Sequence, residues 1–385
     1  MRVPLSPLTP REPPAGIPRV TKTDLDLPEE LHRRRPVRSL LILGGVIVGV
    51  IVAVTVLPGL ASLRTRFAHA SAPWLGLAGA FEVLSSLSYV AVFRSVFCRR
   101  MTLRLSYQIG MSELAATALL PAGGAGGLAL GAWALRRGGM PVAHIARRTV
   151  AFFLLTSLAN FSAVVVVGLG LAAGLFPGRA SLALTLGPAV AAGLTILAVL
   201  LAERLVAGAR RRAAGRGGTG ASRFARGSAA LADGISESVL LVRGGDVVLL
   251  AGSLGYMAFD ILVLWACFRA FGPAPPMAIV WIAYLIGALG GLLPLPGGIG
   301  GIDIGTIGTL VLYGVPVAAA TAAVLAYRAI ALWVPASLGT VTFLQLRRTL
   351  REEAQEIALC VPGTEIEVAG RGTVMIDAQP ASSGP

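Results

Sequence analysis

The sequence predicts an all-α, polytopic membrane helix bundle with about six full spans plus two re-entrant hairpins in an inverted repeat. Three observations carry this. The 385-residue chain is 55% hydrophobic and 14% charged, with a mean hydropathy of +0.77, which leaves too little polar surface for a dissolved protein. Its apolar residues fall in blocks of about twenty or more, the length a helix needs to cross hydrocarbon. Two further apolar stretches are broken by Gly and Pro in matching patterns.

Residues 1–38 are too rich in Pro to fold alone and read as a disordered tail. The tail ends in Arg33, Arg34, Arg35 and Arg38, directly before the first span, which places the N-terminus in the cytoplasm. No cleavable signal peptide is visible. Full spans are predicted at 39–61, 72–98, 149–175, 181–203, 246–270 and 317–345, within a transmembrane domain over 39–346. The broken stretches are 107–134 and 277–314. Residues 207–245 read as a long polar cytoplasmic loop carrying Arg210, Arg211, Arg212, Arg216, Arg223, Arg226 and Arg243. The tail at 347–385 is polar, with short strand pairing expected around Glu365–Ile376 and no room for a catalytic domain.

Charge fixes the expected topology. The formal net charge is +14, nearly all of it from Arg; Lys22 is the only lysine. These arginines cluster between hydrophobic blocks, as topogenic charge facing the cytoplasm and anionic lipid does, so no nucleic-acid partner is expected. Arg99, Arg100 and Arg104 want the inside, and so do Arg136, Arg137, Arg147 and Arg148. The stretch 107–134 must then enter and leave on one face. The last span must end inside at Arg347, Arg348 and Arg351, so 277–314 must enter and leave from the other face. Both termini lie in the cytoplasm of a multi-pass plasma-membrane protein on this reading.

The two hairpins repeat each other. The first reads Leu119-Leu120-Pro121-Ala122-Gly123-Gly124-Ala125-Gly126-Gly127, then Gly139-Met140-Pro141. The second reads Leu292-Leu293-Pro294-Leu295-Pro296-Gly297-Gly298-Ile299-Gly300-Gly301, then Gly314-Val315-Pro316. Phe81-Glu82 precedes the first as Phe259-Asp260 precedes the second. The units run over about 72–175 and 246–345, and an odd number of spans between them inverts the second. That is the pattern of an inverted-repeat transporter with its site at the breaks. Gly-rich backbone at membrane depth is tolerated only inside protein or against a wet cavity, and half-helix ends there can hold a phosphate or an ammonium. The glycines could instead serve close helix packing alone.

At these residues the chain resembles the transmembrane region of lysylphosphatidylglycerol synthases, a flippase-like membrane family that also occurs as stand-alone proteins. The match is carried by Pro294-Leu295-Pro296-Gly297-Gly298-Ile299-Gly300-Gly301-Ile302-Asp303, then Gly314-Val315-Pro316 and Tyr327-Arg328, over roughly residues 40–346. Asp303 stands where the family more often has Glu. The resemblance implies the lipid-moving half of the family's work without the aminoacyl-transferase half.

Ionisable groups inside spans are costly and usually face the protein interior. Glu82, Glu113, Asp260, Asp303 and Arg328 are the candidates for contact with a lipid headgroup. Glu82 and Asp260 hold corresponding places and suggest one polar layer. An Asp303–Arg328 pair across the hairpin would satisfy both, or could open to accept a lipid phosphate on the Arg. Each is equally compatible with a structural ion pair or a place near the interface; for Glu113 the structural role is favoured. Arg94 and Arg269 are expected to snorkel. His32, His69 and His144 fall in tails or loops. Cys98 and Cys267 read as small packing residues, and no disulfide framework is expected.

No nucleophile–base set, metal motif or dinucleotide fingerprint is present, so no catalytic residue, metal or cofactor is assigned. The leading expectation is a flippase or transporter for a phospholipid or polyprenyl-linked lipid. Its partners are membrane phospholipids, anionic headgroups among them, with room for a homo-oligomer. Two alternatives stay open. One is a lipid-modifying component acting with a separate transferase; the other is a structural or regulatory protein working through the Arg-rich 207–245 segment.

Overall fold

The computed structural model describes residues 61–120, 124–178, 181–213, 223–290, 300–352, 357, 365–368 and 372–375. The predicted span 39–61, the tail 1–38 and the hairpin tips at 121–123 and 291–299 fall almost wholly outside them. The described residues form eleven helices. They are α1 (Ala61–Ala68), α2 (Ala72–Phe97), α3 (Leu103–Leu119), α4 (Gly124–Arg137), α5 (Val142–Ala172) and α6 (Leu182–Ala213). Then follow α7 (Arg223–Arg243), α8 (Val247–Phe271), α9 (Met277–Leu289), α10 (Gly301–Leu312) and α11 (Val317–Glu352). A short antiparallel ribbon, β1 (Glu365–Val368) with β2 (Gly372–Met375), pairs Glu365 with Met375 near the expected place.

Five helices are long and apolar enough to cross a membrane: Ala72–Phe97, Val142–Ala172, Leu182–Leu201, Val247–Phe271 and Val317–Leu350. They correspond to five of the predicted spans. The helices of the two broken stretches are shorter. At 1.5 Å per residue, α9 and α10 reach only about 20 Å and 18 Å, well short of a ~30 Å hydrocarbon core.

Caps explain where the helices begin. Pro73 sits in the first turn of α2, where its missing N–H costs nothing. Thr102 caps α3 through Leu105 N, and Asp246 caps α8 through Val248 N. The repeated Gly-x-Pro motif has one geometry in both places. Gly139 and Gly314 take φ of +93° and +85°, and the next residues bond back five positions, Met140 N to Leu135 O and Val315 N to Leu310 O. Each is a left-handed helix end that a glycine permits, and the proline that follows opens the next helix.

Packing also comes in matched sets. Within α2–α5, helix pairs α2/α3, α3/α4, α4/α5 and α2/α5 are in contact; so are α8/α9, α9/α10, α10/α11 and α8/α11. Between the sets, α3/α11 and α2/α11 answer α9/α5 and α8/α5. At the centre α2 packs along α8, antiparallel, from Trp74 against Trp265 through stacked Phe81 and Phe259 to Val92 against Gly252. Two apolar clusters lie one on each side of this crossing. One gathers the C-terminal half of α2 with α3, α4 and the start of α5; the other gathers the C-terminal half of α8 with α9 and the start of α11.

Three expectations need correction. Residues 207–245 are not simply a loop: α6 runs on to Ala213, and α7 packs on α5, with Gly234 against Val150 and Glu237 paired to Arg148 at 3.0 Å. Averaged hydropathy hides α7 because its apolar residues lie on one face, at Ile235, Val239 and Val242, among Arg, Ser and Asp. Cys98 is disulfide-bonded rather than a plain packing thiol, while Cys267 is free and buried. His144 is not in a loop but is buried on the first turn of α5.

Candidate functional site

The acids predicted to share a layer do meet. Glu82 on α2 and Asp260 on α8 sit near the middles of their helices, and their carboxyl groups lie close together where the helices cross. Glu82 is 5% exposed, and its Oε2 has no hydrogen-bond partner among the described residues.

Aromatic hydroxyls complete the layer. Tyr284 of α9 and Tyr327 of α11 both donate to Asp260 Oδ2, the second at 3.1 Å. Their rings meet edge to face at 6.2 Å. Ser85 donates to Tyr256 O at 3.1 Å across the α2/α8 crossing. Tyr256 lies beside Tyr89, with ring centroids 5.5 Å apart. Tyr89 in turn lies near Glu113 of α3. A buried tyrosine brings bulk suited to an apolar span and one hydroxyl that must find a partner; here the partners are carboxylates. The polar groups thus run from Glu113 in the first hairpin, through the α2/α8 crossing, to the second hairpin.

Asp303 and Arg328 close the far end. Arg328 Nε lies 3.0 Å from Asp303 Oδ1, and both side chains are 17% exposed. Asp303 Oδ2 also accepts from Gly300 N at 2.8 Å, so one carboxylate caps α10 and holds α11. Gly300 adopts φ +92° to turn into that helix. On α11, Tyr327 faces Asp260 while its neighbour Arg328 faces Asp303. The pair lies deep: Arg328 is about 16 Å along α11 from Val317.

The described hairpin glycines serve close approach. A Cβ at Gly287 would collide with Thr306, and one at Gly290 with the backbone of Gly301. In the first hairpin, a Cβ at Gly127 would strike Thr117 and Glu113 O, and one at Gly126 would lie 2.8 Å from Leu120. A Cβ at Gly131 would press on the Glu113 carboxyl at 3.0 Å. Packing is therefore one role of these glycines, and it brings the carboxylates of α3 and α10 into place. Gly124 starts α4, and Gly301 starts α10. Pro121, Gly123, Pro294, Pro296, Gly297 and Gly298 lie outside the described residues.

Other positions resolve as structural. Arg94 donates to Met101 O and Arg99 O, closing the α2–α3 turn, and Arg269 covers the Trp74 ring. Ser112 donates to Gln108 O at 2.6 Å. Sequence reasoning missed Tyr89, Tyr256 and Tyr284, and also buried Gln108, which reaches Gln345 at 3.4 Å across α3/α11. Their signal was available: a tyrosine or glutamine in the middle of an apolar span needs a polar neighbour.

Comparison with known proteins adds one match. A family model described as the lysylphosphatidylglycerol synthase TM region matches residues 41–339. No curated protein matches the chain.

Proposed function

We propose that this chain, a multi-pass membrane protein that belongs to the lysylphosphatidylglycerol synthase transmembrane-region family, moves a lipid headgroup between leaflets through its central polar layer. The observation that carries the reading is the set of buried polar groups at the helix crossing, ending at the largely buried Asp303–Arg328 pair. A headgroup needs polar contacts at mid-membrane while its acyl chains stay in lipid. Arg328 offers a phosphate a planar, permanently charged donor once Asp303 releases it. Glu82, Asp260 and Glu113 offer acceptors to an amine or hydroxyls.

The arrangement fits an inverted repeat of α2–α5 and α8–α11, with α3/α4 and α9/α10 as re-entrant hairpins entering from opposite faces. The matched packing sets, the twin Gly-x-Pro turns and the short hairpin helices support this. Rocking one repeat against the other about the α2/α8 crossing would expose the layer alternately. The termini then lie in the cytoplasm of a plasma-membrane protein.

The test is headgroup movement in reconstituted vesicles, read by leaflet-selective reduction of a fluorescent phospholipid. Asp303→Asn or Arg328→Ala is expected to abolish movement in protein that still folds. Unchanged movement in both variants would remove this site from the transport path. A transferase that copurifies with the chain would favour the alternative in which it serves a separate lipid-modifying enzyme.

A further inference from the structure

We infer that a groove between α5, α6 and α7, separate from the polar layer, holds one anionic phospholipid, with its headgroup on Arg204 and Arg243. The groove encloses about 320 Å³ and is walled by Leu154, Leu158, Phe161, Ile196, Val199 and Val242. Two of its other polar side chains are satisfied within their own helices: Thr195 donates to Ala191 O at 2.9 Å and Ser238 to Ile235 O at 2.7 Å. Arg204 and Arg243 supply its charge. Among the described residues neither forms an ion pair.

Both arginines line the groove. Helices α5 and α6 are antiparallel, with Gly193 beside Val165 and Gly168 beside Ala189. Carried along the pair, that register sets Arg204 level with Leu154 and Ile196 near Phe161. The groove therefore runs from the Arg204 mouth to an apolar end over about 12 Å, the rise of eight residues from Ile196 to Arg204 at 1.5 Å each. Arg243 ends α7, directly before the turn into α8. The lips of the groove are exposed apolar side chains, Leu158 and Leu200, the face a bilayer covers.

An anionic phospholipid matches this gradient. Its phosphate and a charged headgroup meet two guanidinium groups, and the first part of an acyl chain lies along the leucines. A zwitterionic lipid would fill the apolar part but gain less from the mouth. On the topology proposed above the mouth faces the cytoplasmic leaflet; occupancy does not depend on transport. The lipid would also brace α7 against the bundle, beside the contact of Gly234 with Val150 and the Arg148–Glu237 pair.

The test uses the purified full chain, delipidated and offered phosphatidylglycerol or phosphatidylcholine, with retained lipid counted by native mass spectrometry. The wild type is expected to retain phosphatidylglycerol at least about five-fold better. Arg204→Gln/Arg243→Gln should reduce that preference to near unity with an unchanged melting temperature. Leu158→Trp should lower retention of both lipids by filling the groove. Equal retention of the two lipids by the wild type, or an unaltered preference in the double variant, overturns the inference. So does a protein chain cross-linked at Leu200 in place of lipid. Asp303→Asn protein should keep its phosphatidylglycerol, so loss of transport and loss of this site are read separately.

Discussion

Arg328 and Asp303 join the first turn of α10 to α11 across 3.0 Å, and the same carboxylate caps α10 through Gly300 N. Removing the guanidinium leaves a half-buried carboxylate with one bond fewer. Arg328→Ala is expected to destabilise the protein by about 1–3 kcal/mol, below the full penalty for a buried ion because both groups are partly exposed. Thermal unfolding in detergent measures it. A double-mutant cycle with Asp303→Asn should show coupling of about 1 kcal/mol or more; strictly additive effects would mean the pair is idle.

Tyr284 and Tyr327 share one acceptor, Asp260 Oδ2. Tyr284→Phe and Tyr327→Phe should each cost about 1.5–3 kcal/mol, the range for hydrogen bonds to charged groups. Because both hydroxyls serve one oxygen, the double variant should depart from the sum of the two. Melting temperatures of the three variants decide this, and wild-type stability in all three would remove the tyrosines from the layer.

Gly290→Ala would drive a Cβ into the Gly301 backbone, and Gly287→Ala would strike Thr306. Each should cost about 1–3 kcal/mol by overpacking and push α9 from α10. Gly308→Ala, with nothing within 4 Å of its Cβ, is the control and should lose no stability. Protease resistance of the three variants in detergent is the readout; equal behaviour would show that the hairpin needs no close approach.

Gly139 and Gly314 hold positive φ at matching turns. Gly139→Ala and Gly314→Ala should each cost about 1–2 kcal/mol in left-handed strain, and by similar amounts if the two turns are equivalent. Paired melting curves test it. A large cost at one and none at the other would break the correspondence between the two units.

Re-entry is open to labelling in intact cells. Arg100→Cys and Arg137→Cys flank the first hairpin and should react from one face; Pro273→Cys and Val317→Cys flank the second and should react from the other. If either pair splits across the membrane, that hairpin is an ordinary crossing.

Much of the architecture was legible because its causes are local. Blocks of apolar residues marked five spans that the structure contains, and the Gly-x-Pro repeats marked two turns of one geometry. The Asp303–Arg328 pair was readable because a buried acid and a buried base at similar depth have few other ways to be satisfied. Glu113 was harder. Its place depends on how α3 and α4 dock, and only the docking shows its carboxyl against Gly131 and Tyr89. Helix α7 escaped because its polar residues dominate any average over the segment.

The sequence alone determined that this chain is a helical membrane protein, where its helices break, and that the breaks occur twice in one pattern. Those features follow from hydropathy and from the backbone freedom of glycine, which act within a few residues. The tertiary structure decided which polar groups meet. Helices such as α2 and α8 are apolar on nearly every face, so composition does not set their rotation about their own axes. Only the packing of the bundle turns Glu82 toward Asp260 and brings two tyrosines from other helices onto the same oxygen.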